Sequence, residues 1–101
     1  MADIEITHEE ILTKEEREIA KKLLKEYYPK IQRMTKTPIK IKIDMKEYDK
    51  DGKNKKYSLN SKIIFSGKML SSSAWDWDLA RAIHKAMNKL ENEAEHKWKD
   101  Q

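Results

Sequence analysis

Leu79, Ile83, Met87, Leu90, Ala94 and Trp98 recur at steps of four, four, three, four and four. That is the apolar stripe of one amphipathic helix, and no Gly or Pro interrupts it. The spacing predicts a helix over Ser73–Lys99, at about 1.5 Å per residue roughly as long as a small domain is wide. Hydroxyls and carboxylates between Ser72 and Asp78 suit its N-terminus, and His96, Lys97 and Lys99 suit the negative end of its dipole. A second stripe, Ile19, Ala20, Leu23, Leu24 and Tyr27, predicts a helix that starts after Thr13. Glu16 stands three residues beyond Thr13, which is capping-box spacing. Pro29 lacks a backbone donor, so a break or kink is expected near Tyr28, with a further turn over Lys30–Met34.

The other segments alternate with a period of two. Asp3–Thr7 carries Ile4 and Ile6 on one side. Pro38–Lys46 puts Ile39, Ile41, Ile43 and Met45 on one face and Lys40, Lys42, Asp44 and Lys46 on the other. Lys56–Phe65 groups Tyr57, Leu59, Ile63 and Phe65, with Ile64 opposite. Lys68–Ser73 reads as a short last strand behind a tight Ser66-Gly67 turn. The order is β-α-β-β-β-α. Three antiparallel strands with one wet face and two helices with stripes to bury predict an α+β two-layer sandwich. Both helices cover one face of a four-stranded sheet, as in double-stranded-RNA-binding domains. Residues 1–101 form one domain.

Composition removes several chemistries. There is no cysteine among the 101 residues, so disulfides, zinc thiolates and thiol nucleophiles are excluded, which is compatible with a reducing cytosol. No apolar run reaches membrane-spanning length, and the acidic N-terminus lacks the form of a signal peptide. His8, His84 and His96 make no metal-ligand spacing. Glu47–Gly52 imitates the start of a calcium loop, but Ser58 replaces the bidentate Glu at the twelfth place and no helices flank it. The Asp51-Gly52 pair therefore reads as a hairpin turn. Ser71–Ser73 has no nucleophile elbow and no base, and two glycines leave no phosphate cradle. The chain reads as a non-enzyme with no cofactor, no metal and no small-molecule substrate. Trp75 and Trp77 read as cover for the core edge and a loop, against the alternative of a base-stacking platform.

Charged residues make up 40% of the chain and the net charge is +4, which points to a polyanionic partner. On helical wheels Lys14, Arg17, Lys21 and Lys25, with Lys22 beside them, lie away from the first stripe. Glu15, Glu18 and Glu26 flank that row. Arg81, Lys85 and Lys89 lie away from the second stripe. Two helices on one sheet face would set these rows side by side. A broad basic surface suits phosphate contacts on structured RNA better than base reading.

Thr13 four residues before Arg17, Lys22-Leu23, the Ser66-Gly67 turn, Asp78, Ala82-Ile83 and Lys89-Leu90-Glu91 follow one another in an order that resembles the ribosome hibernation-promoting factor and ribosome-associated inhibitor family, over about Ile6–Trp98. The resemblance implies a cytoplasmic stress-response factor that binds rRNA of the small ribosomal subunit. It would occupy the mRNA and tRNA channel and block translation, as a monomer when free. Arg17, Lys21, Lys22 and Lys25 match basic positions in the family's first helix, and Lys89 matches one in its second. Lys14, Arg81 and Lys85 come from the wheels alone. The chain departs from the family in lacking a Gly between first strand and first helix, in Pro29, and in His84 where Asp is usual. Its hairpin is long, and ending at Gln101 it reads as a short form without the C-terminal dimerisation domain. Another RNA-binding module and a protein-binding adaptor are the competing readings.

Overall fold

The computed structural model describes residues 3–50 and 54–99, with side chains for 3–48 and 55–96. The Asp51-Gly52 turn and the side chain of Trp98 lie outside the described residues. The order is β1 (Ile4–Thr7), a short 3-10 turn (Glu9–Ile11), α1 (Lys14–Thr35), β2 (Lys40–Lys50), β3 (Asn54–Phe65), β4 (Lys68–Asp76) and α2 (Leu79–Lys99). The sheet order is β1-β2-β3-β4. β1 runs parallel to β2, and the other two pairings are antiparallel.

Period-two alternation decides which face is dry. Ile39, Ile41, Ile43, Met45, Tyr57, Leu59, Ile63 and Phe65 are all buried, as the pattern predicted. The helices close over them with Ala20, Leu24 and Ile31 from α1 and Ile83, Met87, Leu90 and Ala94 from α2. Small residues let α2 approach the sheet: Ser61 and Ala86 are fully buried, and the Ser72 hydroxyl donates to the Ala86 carbonyl at 3.1 Å. Ser66 and Gly67 both take positive φ, 43° and 75°, as a two-residue hairpin turn between right-twisted strands requires. β2 and β3 stay paired out to Lys50 and Asn54, so Glu47–Asp49 is strand.

The structure corrects three sequence expectations. α1 does not break at Pro29; it is continuous to Thr35. A proline inside a helix costs about 3 kcal/mol, but here it is exposed, and the turns around it are anchored. Ile31 is fully buried, and the Tyr28 hydroxyl donates to the Ile39 carbonyl at 2.7 Å. Second, α2 begins at Leu79, not Ser73, because β4 continues to Asp76. Ala74 and Asp76 point inward, Ser73 and Trp75 outward, in register with Asn60 and Ser58. Asp78 then caps α2, its carboxylate accepting the Arg81 N–H at 3.0 Å. Third, Ile19 is 44% exposed, so the first stripe is narrower than its spacing suggests.

Candidate nucleic-acid interface

The first basic row rests on a well-fixed helix start. The Thr13 hydroxyl accepts the Glu16 N–H at 3.1 Å, and the Glu16 carboxylate accepts the Thr13 N–H at 2.8 Å. The same carboxylate accepts the Tyr57 hydroxyl from the sheet. Burial pushes the Glu16 pKa up, but the Thr13 N–H and the Tyr57 hydroxyl outweigh it and hold the group below its ordinary value. Tyr57 is pushed above its own, by burial and by that acceptor. From this anchor Lys14, Lys21, Lys22 and Lys25 are exposed and Arg17 is half-buried. Lys21 and Lys25 border a cavity of about 220 Å³ with Ile4, Ile6 and Glu9, so this row overhangs β1. Among the described residues none of these five cations forms an ion pair or a side-chain hydrogen bond within the protein. The flanking Glu15, Glu18 and Glu26 do not reach them.

The second row is engaged. Lys85 Nζ lies 2.7 Å from Asp76 Oδ2 and donates to the Trp75 carbonyl at 3.3 Å. Lys89 Nζ donates to the Ser73 carbonyl at 2.8 Å. Arg81 Nε stands 3.7 Å from Asp76 and 3.9 Å from Asp78. Lys85, the Asp78 N–H and the charge of Arg81 hold the Asp76 carboxyl at about 2, against burial. The Ser73 and Trp75 carbonyls lie on the outer edge of β4. An uncovered edge is a template for pairing with another chain, and lysines are a common way to block it. Lys85 and Lys89 are thus edge caps on the sheet.

The two rows do not stand side by side. The seam between the helices is filled by other residues: the Tyr27 hydroxyl pairs with His84 Nδ1 at 2.6 Å and reaches Asn88 at 3.4 Å, and the rings meet edge-on at 5.6 Å. Burial, then the charges of Glu91 and Glu26, push Tyr27 above its ordinary pKa. Lys21 and Lys25 lie on the β1 side of α1, and Lys85 and Lys89 on the β4 side of α2. β1 and β4 are the opposite edges of the sheet, roughly 14 Å apart at about 4.8 Å per strand. A wheel shows which residues face away from the core, not which neighbour they lean toward.

The Lys85–Asp76 pair escaped the sequence reading, which placed Asp76 in a helix. The run Leu70-Ser71-Ser72-Ser73-Ala74 does not alternate in polarity, so the sequence carried no clear signal that β4 continues. His8 was also missed. It takes a left-handed φ of 62° and meets Asp44 at 2.6 Å, tying the end of β1 to β2. Thr7 donates to the same carboxylate, and the two contacts hold Asp44 below its ordinary pKa. Among the described residues there is no cluster of side chains suited to a metal ion. None of the described helices is long and apolar enough to cross a membrane.

No protein-family profile and no curated protein sequence matches the chain. Solved structures do. The N-terminal domain of protein Y from Thermus thermophilus superposes with a TM-score of 0.65 at 18% identity, covering 95% of this chain and 98% of that one. A ribosomal subunit interface protein from Coxiella burnetii superposes with a TM-score of 0.60 at 16% identity, covering 99% and 98%. Along essentially its whole length, this chain has the fold of those two proteins.

Proposed function

We propose that this protein is a non-enzymatic ribosome-binding factor that docks on rRNA of the small subunit through phosphate contacts. The observation that carries the reading is an uncompensated cationic flank on a fold matched end to end by a ribosomal subunit interface protein. The residue pattern of the sequence, similar to that of hibernation factors, points the same way. Lys14, Arg17, Lys21, Lys22 and Lys25 have no partners to give up and supply the primary contacts. Arg81, Lys85 and Lys89 extend the footprint only where a phosphate can share them with Asp76 and the β4 edge. In the cell the protein occupies the mRNA and tRNA channel as a monomer from the cytoplasm and stops translation under stress.

Sedimentation with purified small subunits at low and high salt tests this. Co-sedimentation at low salt that is lost steeply as salt rises is the expected result. Absence of association at any salt, or association with a protein-free RNA duplex as tight as with the subunit, would sink the ribosomal reading.

A further inference from the structure

The helix-free face of the sheet has its own chemistry. β2 turns Lys40, Lys42, Asp44, Lys46 and Tyr48 outward; β3 turns Lys56, Ser58, Asn60, Lys62 and Ile64 outward; β4 turns Ser71, Ser73 and Trp75 outward. A groove of about 700 Å³ crosses this face, lined in part by Lys42, Asp44, Asn60, Lys62, Ser71 and Ser73. Glu5 lies near Lys40 and Lys42, at 3.5 and 3.7 Å. Lys46, Lys56 and Lys62 form no ion pair among the described residues. The face is therefore cationic, with hydroxyl and amide groups between the charges.

Two aromatic rings stand at one end of it. Trp75 is 49% exposed and Tyr48 51% exposed; the Trp75 ring meets Trp77 edge-on at 6.0 Å, and Lys85 Nζ lies 5.8 Å from its centre. Lys46, Ser58 and Trp75 share one row across the sheet, and Tyr48 and Lys56 share the next. Rows on one face are roughly 7 Å apart and strands about 4.8 Å, so the two rings stand on backbone positions roughly 12 Å apart, with Lys56 between them. Lys56 Nζ sits 4.3 Å from the centre of the Trp75 ring. A base needs a flat apolar surface, and its phosphate needs a cation within a few ångströms of that surface. Trp75 supplies the surface and Lys56, which a stacking base displaces from the ring face toward its phosphate, supplies the cation. A folded duplex hides its base faces and cannot use the rings; an unpaired strand can.

We propose that this open face is a second, independent binding surface for a short unpaired stretch of RNA. Bases stack on Trp75 and Tyr48, phosphates meet Lys46 and Lys56, and the strand continues along the groove past Lys62 and Lys42. The face opposes the helix layer, so it can be occupied while the α1 flank holds structured RNA.

Fluorescence anisotropy of a labelled short oligouridylate, at about 50 mM salt, where phosphate contacts are strong, reads the binding directly. Trp75→Leu should weaken it about five-fold or more, and Trp75→Phe should retain most of it, as stacking requires. Lys46→Gln with Lys56→Gln should weaken it and flatten its salt dependence. Lys21→Gln with Lys25→Gln should weaken it less than either sheet-face variant does, and a blunt RNA duplex should compete poorly. Both rings are exposed, so thermal melting serves to confirm that each variant is folded. The proposal is overturned if folded wild-type protein fails to bind the oligouridylate, if Trp75→Leu binds as wild type does, or if only the α1 variant loses binding. Small-subunit sedimentation of the same variants is a separate readout, so failure here leaves the docking reading to stand or fall by itself.

Discussion

The two helices carry similar rows of cations and use them differently. On α1, Lys14, Arg17, Lys21, Lys22 and Lys25 have no partner among the described residues, and their charge is available to a ligand. On α2, Lys85 and Lys89 are fastened to β4, and Arg81 leans on two carboxylates. Exposure alone does not separate the two rows, because every cation except Arg17 is exposed. What separates them is the free energy a ligand must return before it can share the charge. A lysine in water is available to a phosphate; one bonded to a carboxylate and an edge carbonyl must leave both.

That difference presumes two helices equally well seated, and the largest expected effects test the premise. Leu24 and Leu90 are both fully buried. Replacing either with Ala should cost about 2–5 kcal/mol, read by chemical denaturation. If Leu24→Ala were nearly neutral, α1 would be loosely held and its row would not be a fixed surface.

Charge reversal should then split the helices. Lys85→Glu sets a carboxylate against Asp76 and uncovers the Trp75 carbonyl, so melting should fall by several degrees. The wheel alone would have predicted no change at this exposed position. Lys21→Glu should stay within about 0.5 kcal/mol of wild type. Equal melting temperatures for the two variants would remove the distinction.

Asp76 sharpens the same point through pH. Its folded pKa of about 2 lies below the ordinary 3.8. A depressed carboxyl contributes stability that is present above its unfolded pKa and lost as pH falls through the folded one. Asp76→Asn should therefore melt lower than wild type at pH 7, and the two curves should converge between about pH 4 and pH 2. Parallel curves across that window would mean that Lys85 contributes nothing through Asp76. The smallest effect belongs to α1: Thr13→Ala removes half of the capping box and should cost about 1 kcal/mol. It leaves every cation of the row in place, so ribosome binding should not change in the folded variant.

The sequence carried the fold well, because period-two alternation and helical stripes both report burial. Ile39 to Met45 could be placed under the helices, and Leu79 to Ala94 on the core side of α2, from their spacing alone, and the Thr13–Glu16 cap was readable in the same way. Pro29 misled because a local penalty was overridden by tertiary contacts, Tyr28 to Ile39 among them. The β4–α2 boundary misled because Ser73–Asp76 has no Gly or Pro and fits either period. The site was less legible for a related reason. A wheel reports a residue's angle from the core, and whether Lys85 faces water or Asp76 depends on where β4 ends. Trp75 looked like core cover until the strand register turned it outward.

The central claim is that α1 and not α2 supplies the free phosphate contacts, and the salt dependence of small-subunit binding tests it most directly. Lys21→Gln with Lys25→Gln and Lys85→Gln with Lys89→Gln each remove two positive charges, so net charge is controlled. Each phosphate contact contributes about 0.7–0.9 to the slope of log affinity against log salt. The α1 pair should lower this slope by about 1.4–1.8, while the α2 pair should barely move it and lower the melting temperature instead. A slope reduced as much by the α2 pair as by the α1 pair, or reduced by the α2 pair alone, would contradict the claim.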